Sequence, residues 1–482
     1  ISGLSYLNAN NGFSNTRWNY LARISICITW LFVVPKQDSI MLHRLLKIRR
    51  KSYKLVTNMK AYKSKKRLYY MKRYCKNFML TPDFIQDCIV KFMNSSNQKS
   101  RWKRMDVAYF FAYYYFNKKV YPTYINAKYM LHLMKEHRDM IIHLYPRVAL
   151  DLYEEITEER IYLKPIEYQQ RYDETSRKVR KIGISSIKQQ ILDYVAVEAC
   201  KDMFNAKIGR FQCASIKDRG ALYGVEAIQK WIKKNPTQCK WVFKCDIKKY
   251  YPSIDHEKLL DLLKRDIKNK TLIYLLVTLI KSYGKKGLCI GSYLSQYLAN
   301  YFLSYLYHFV SECCYRLRRN RRSGEVKRVN LCSHVLFYMD DILLLGSNRK
   351  YIQKAAEMLE NYTNELLGLT IKSTKRLFSL SKNFIDMMGY KIYEDHIAIR
   401  KRNFKKMRRK WIKFKNRKLD LHTARSICST YGFVKHTNSF KITVKYKLKA
   451  LIERAKEVVS QHDKQRKRFY RETTEVPILS FN

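Results

Sequence analysis

Two adjacent carboxylates, Asp340 and Asp341, sit inside the apolar run Val335-Leu336-Phe337-Tyr338-Met339-Asp340-Asp341-Ile342-Leu343-Leu344-Leu345-Gly346. An ionised carboxylate is very costly to bury alone, and two side by side also repel. The arrangement that resolves this is a strand-turn-strand hairpin. Its apolar flanks lie in a core, and its acidic tip is exposed to a divalent cation. Such a hairpin needs a third acid to complete a cation site and a substrate that gives the cation work.

The third acid is Asp246. It ends a second apolar stretch, Lys240-Trp241-Val242-Phe243-Lys244-Cys245-Asp246, about 94 residues before the pair. On adjacent strands, Asp246, Asp340 and Asp341 form an all-oxygen donor set suited to Mg²⁺ or Mn²⁺ rather than to zinc. Two such ions can hold the attacking 3′-hydroxyl and the leaving pyrophosphate oxygen of an in-line displacement.

Charge supplies the substrate. The 482 residues contain 96 Lys and Arg against 40 Asp and Glu, a net charge of +56, which opposes compaction unless a polyanion neutralises it. Basic residues run through whole segments and are interleaved with 39 Tyr and 22 Phe, the pairing that phosphates and bases require. A hydrophobic content of 46% excludes global disorder. None of the twelve cysteines forms a Cys-x-x-Cys pair, so reduced thiols in a cytoplasmic protein are expected.

Along the chain, residues 1–40 differ from the rest: they are nearly free of Lys and include the apolar stretch Leu21 to Pro35, interrupted by Arg23. They stay unassigned. Met41 is the expected start, with the preceding segment untranslated, and a membrane anchor is the other reading. Residues 41–150 read as a basic, Tyr-rich helical extension whose densest patch is Lys60-Ala61-Tyr62-Lys63-Ser64-Lys65-Lys66-Arg67. Lys178 to Ile184 alternates basic and apolar residues as a half-buried strand does, and Gln189 to Phe204 reads as one amphipathic helix. The basic loop Lys217-Asp218-Arg219-Gly220 precedes another helix. The insertion Arg316 to Arg328 is expected as a surface loop, residues 401–460 as basic helices, and residues 461–482 as a loose basic tail.

In order, these segments resemble a reverse transcriptase of the bacterial retron and group II intron type. Phe243 to Asp255 resembles the family's first catalytic block, and Gly287 through Gln296 its template- and nucleotide-binding block. Phe337-Tyr338-Met339-Asp340-Asp341 matches the polymerase hairpin, and Phe384 to Ile392 resembles the primer-grip region. The resemblance implies an α/β right-hand polymerase, with fingers and palm over 151–400, a helical thumb over 401–460, and the basic helical region in front. It also implies RNA-templated DNA synthesis with two divalent ions, Mg²⁺ or Mn²⁺, bound by Asp246, Asp340 and Asp341. Tyr251 falls where the family carries its steric gate against a ribose 2′-hydroxyl. Lys178, Arg180 and Arg219 are candidates for a triphosphate clamp. Lys375, with Lys372 as rival, could protonate the pyrophosphate leaving group. Gly291, Ser295, Tyr338 and Met339 would line the substrate site.

One departure bears on the kind of enzyme. Most of the wider family has Gln-Gly-x-x-x-Ser-Pro where this chain has Ile290-Gly291-x-x-x-Ser295-Gln296. That version is similar to diversity-generating retroelement reverse transcriptases, which copy a template RNA with frequent errors at adenines. Ile290 cannot make the hydrogen bond of a glutamine, so control of the incoming nucleotide should loosen. The extension before the fingers keeps a defence-associated or retron-like role open, and a silent RNA-binding protein with a polymerase shell is the reading from another class. Expected partners are template RNA, the cDNA primer–template duplex, dNTPs and a small basic accessory protein, with no membrane.

Overall fold

A computed structural model describes residues 73–95, 101–116, 122–173, 178–320, 322–415 and 420–474. The expected start at Met41, the stretch before it and the basic patch Lys60–Arg67 lie outside these residues.

The described part opens with helices α1 (Pro82–Asn94), α2 (Met105–Tyr115), α3 (Tyr124–Glu136), α4 (Arg138–Ile142) and α5 (Tyr145–Thr157). Thr81 caps α1 by accepting from Phe84 N with Pro82 in the first turn, and Thr123 with Asn126 forms a capping box on α3. The boundary expected at residue 150 is not one. Val148, Ala149, Leu152 and Ile156 form one buried face along α5, so the helix continues to Thr157.

Strands β1 (Glu167–Asp173) and β2 (Lys178–Ile184) pair antiparallel in an exposed ribbon. Helices α6 (Ile187–Ala199) and α7 (Lys201–Lys207) follow, where a single helix was expected; the chain leaves helical geometry at Cys200. Nor is α6 one-sided. It packs against α1 and two later helices, so Gln189 and Asp193 are buried with its apolar residues.

Helix α8 (Ala221–Lys234) leads to β3 (Trp241–Asp246), the short α9 (Tyr250–Ser253), α10 (His256–Asp266), α11 (Lys270–Lys281) and the 21-residue α12 (Tyr293–Cys313). Asp255, Asn269 and Ser292 cap the last three. The basic insertion is an antiparallel hairpin of β4 (Tyr315–Arg319) and β5 (Val326–Asn330), not the expected loop. Strands β6 (His334–Tyr338) and β7 (Asp341–Gly346), helix α13 (Arg349–Glu365) and β8 (Arg376–Ser379) come next. A small sheet of β9 (Ile385–Met387), β10 (Tyr390–Ile392) and β11 (Ile397–Ile399) leads to α14 (Lys401–Phe414), α15 (Leu421–Lys435), α16 (Phe440–Lys445) and α17 (Leu448–Thr474). The tail expected from residue 461 is therefore helical to Thr474. Leu451, Ile452 and Ala455 are buried, Val458 and Val459 pack behind them, and neither Pro nor Gly interrupts the run.

At the centre is a four-stranded antiparallel sheet in the order β6–β7–β3–β8. Its strands read as apolar runs because helices cover both faces: Val242, Leu336, Leu343 and Leu345 meet Val225, Ile228 and Ile232 of α8, while α13 lies against β3 and β7. All eleven described cysteines are free thiols. Among the described residues no helix is long and apolar enough to cross a membrane.

Candidate active site

The three acids meet at one end of this sheet. The β3–β7 register sets Asp246 opposite Asp341, and Tyr338 opposite Asp341 closes β6 and β7 on the two-residue turn Met339–Asp340. A turn this tight requires a positive φ at its first position, and Met339 supplies it at 54°. Holding a non-glycine residue there costs about 1 kcal/mol or more. The turn is pinned from the side as well, since Ile247 N donates to Asp340 O at 3.1 Å.

Crowding shapes the protonation of these groups. Burial holds the Asp340 carboxyl well above the usual carboxylate range, reinforced by a hydrogen bond with Asp246 and by the charges of Asp246 and Asp341. Lys372 Nζ pairs with Asp246, and Lys244 Nζ bonds Asp341 Oδ1 at 2.9 Å. Among the described residues no three acid, His or Cys side chains already converge as a closed metal cage. Ammonium groups, which a divalent ion would displace, hold two of these acids. The residues nonetheless fit such an ion: every donor is a carboxylate oxygen, and Asp246 Oδ1 is buried without a hydrogen-bond partner.

Lys372 also ties its own backbone N to Asp246 O at 2.8 Å, whereas Lys375 Nζ is engaged by Glu360 at 2.7 and 2.8 Å. Of the two rival lysines, Lys372 stands at the acids. Lys244 is a further member that the sequence reading missed. The signal was present, because the period of two along β3 puts Lys244 and Asp246 on one face.

The segment 287–296 bridges the sheet to the β1–β2 ribbon. Gly287 N donates to Ile254 O and Leu288 N to Tyr251 O, each at 2.9 Å. A Cβ on Gly287 would lie 2.9 Å from Pro252 Cα, so only glycine allows this approach. Three residues on, Gly183 N donates to Ile290 O at 2.8 Å, and a Cβ on Gly291 would lie 2.6 Å from Gly183 O. Ile290 and Gly291 are thereby fixed between β2 and Tyr251. Tyr250 anchors that tyrosine's helix by donating to Ala299 O at 2.6 Å. Burial first, then the charge of Asp340, pushes the Tyr251 phenol above its ordinary value. Ser295 is buried with its N on Ser292 Oγ, and the half-buried Gln296 accepts from Asn300 through its carbonyl. Tyr338 is half-buried beside Asp341.

The proposed phosphate clamp is less concentrated. Arg180 pairs with Asp173 across the ribbon at 3.1 Å, and Lys178 lies opposite the same aspartate. Arg219 Nη1 donates to Gly209 O at 2.6 Å and bends toward Gln212 O at 3.4 Å, bracing a loop whose Cys213 N bonds Phe337 O. Arg219 therefore supports the polymerase hairpin from behind.

Asp193 also escaped the sequence reading. It is fully buried on α6 and accepts from Ser292 Oγ at 2.7 Å, and Tyr283 bonds the same hydroxyl at 2.9 Å. Burial pushes its carboxyl up to about 7, against the lowering pull of Ser292 and the Leu294 and Tyr293 amides. An unfolded aspartate titrates near about 3.9. The folded chain therefore holds an extra proton between about pH 4 and 7, and this group's contribution to stability falls as pH rises through that window. Asp193→Asn is expected to match wild type near about pH 3.5 and to exceed it by roughly 2–4 kcal/mol near pH 8 in denaturant titrations. An equal difference at both pH values would show that Asp193 does not titrate in the folded chain.

Residues 171–392 match the family model described as "Reverse transcriptase (RNA-dependent DNA polymerase)". Among solved structures, the "Structure of apo telomerase from Candida Tropicalis truncated from C-terminal domain" is similar at 12% identity and a TM-score of 0.34, over 76% of this chain and 92% of that one. A search of curated proteins found no match. The fold is consistent with that of a right-hand polymerase. The match to that family model indicates an RNA-directed DNA polymerase, a nucleotidyltransferase.

Proposed function

We propose that this enzyme copies a template RNA into error-rich cDNA as part of a diversity-generating retroelement. The observation that carries this reading is the place of Ile290. Its carbonyl is tied to Gly183 of the fingers, and its neighbours Gly287 and Leu288 are tied to Ile254 and Tyr251 of the palm. A branched apolar side chain in this junction offers an incoming nucleotide contact but no hydrogen bond, so mispaired geometries are rejected less strongly.

Asp246, Asp340 and Asp341 would hold two divalent ions, Mg²⁺ or Mn²⁺, which supply charge stabilisation and activate the attacking hydroxyl. Lys372, already at Asp246, replaces Lys375 as candidate proton donor to the leaving pyrophosphate. The Tyr251 ring would crowd a ribose 2′-hydroxyl, and Lys178 and Arg180 on the exposed ribbon would meet the triphosphate. A small basic accessory protein would join through the shared RNA. Free thiols throughout the described chain suit a reducing compartment such as the cytoplasm.

Sequencing cDNA made on a defined RNA template tests the reading. Substitutions opposite template adenines should dominate in wild type and drop several-fold in Ile290→Gln. An unbiased error spectrum would favour a defence-associated or retron-like role instead. That second reading draws on the N-terminal helices, because α1 packs directly on α6 of the fingers and is built into the polymerase.

A further inference from the structure

The β4–β5 hairpin takes no part in the site described above, yet it carries a dense basic charge. Residues 315–330 carry seven basic side chains and one acid, a net +6 in sixteen residues against +56 over all 482. Its root is fixed: Arg316 lies over the Tyr351 ring at 4.3 Å, and Arg328 lies over Tyr315 at 3.7 Å and donates to Glu312 O. Beyond the root the ribbon is exposed.

Three features of the ribbon point to a ligand. Arg318 lies directly opposite Lys327, a like-charge pair that destabilises an isolated hairpin and that Glu325, paired with Lys327 at 3.1 Å, partly relieves. Basic side chains occupy both faces, Arg318 and Lys327 on one and Arg319 and Arg328 on the other. Leu317 and Val326, 63% and 56% exposed, sit between the arginines of the second face. A ribbon lying flat along one phosphate backbone needs cations on one face only. One inserted into a groove meets phosphates on both walls and base edges between them.

Groove shape selects the duplex. The B-form major groove, about 12 Å wide, admits a two-stranded β-ribbon, whereas the A-form major groove is deep and narrow. Position separates this site from catalysis. The hairpin leaves the sheet at the start of β6, and the six residue-to-residue steps from His334 to Asp340 put the catalytic turn about 20 Å away.

We infer that the β4–β5 hairpin docks B-form duplex DNA in its major groove, apart from the primer–template that the catalytic site extends. The test is fluorescence anisotropy of the full chain on a short blunt DNA duplex with blocked 3′ ends, over a salt series. The comparison is with Arg318→Gln/Arg322→Gln/Lys327→Gln. The slope of log K against log salt should shrink by about three in the triple variant. Binding to an RNA duplex of the same sequence should change little, and primer extension on RNA should be unaffected. If the triple variant does not fold, Arg322→Gln alone should lower the slope by about one. An unchanged slope overturns the inference, as does an equal loss on RNA and DNA duplexes. So does loss of extension with the fold intact, which would put the hairpin on the primer–template path. Wild type that binds in this way but extends no primer would keep the hairpin and refute the polymerase role instead.

Discussion

Asp340→Asn is expected to lose at least about 10³-fold in primer extension, because a metal-bound carboxylate stabilises the transition state by several kcal/mol. The same substitution is expected to raise stability by roughly 1–2 kcal/mol, since it relieves the crowding of three acids at one strand end. The opposite signs are what make the prediction specific. A site whose acids served only the fold, through the pairs Lys244–Asp341 and Lys372–Asp246, would keep primer extension when Asp340 is neutralised. Thermal unfolding and single-nucleotide extension on one preparation read both effects. A destabilised variant with partial activity would refute the assignment.

Tyr251→Val should lower the preference for dNTPs over rNTPs by roughly 10², the range a steric pocket commands. The Tyr251 backbone carbonyl, which holds Leu288 N, is unaltered by the substitution, so the 287–291 segment should stay docked. The change should therefore appear in KM for rNTPs more than in kcat for dNTPs. Equal loss on both nucleotide classes would mean that the ring is a packing element of the palm.

The meeting of the three acids was legible because its constraints are local. Two acids in an apolar run dictate a hairpin tip, and Asp246 closes the apolar stretch of residues 240–246 as the acid at a strand end. The register that sets Asp246 against Asp341 follows once both strands join one sheet. What escaped the sequence depends on partners distant in the chain. Asp193 looked like the polar side of an amphipathic helix, but α1, α11 and α12 enclose α6 and turn that side inward. The choice of Lys372 over Lys375 rests on how residues 371–375 meet β3, through the Ile247–Ile371 bridge. Residues 315–330 resembled a loop because their charge masks the alternation, and their pairing shows only as a cross-strand register. The helix reaching Thr474 was missed because few apolar residues mark its last turns.

Primer extension by the intact chain on an RNA template, with dNTPs and either Mg²⁺ or Mn²⁺, tests the central claim most directly. The account predicts full-length cDNA that depends on the divalent ion and disappears in Asp340→Asn. No extension by wild type with either ion, or extension that persists in Asp340→Asn, would contradict it.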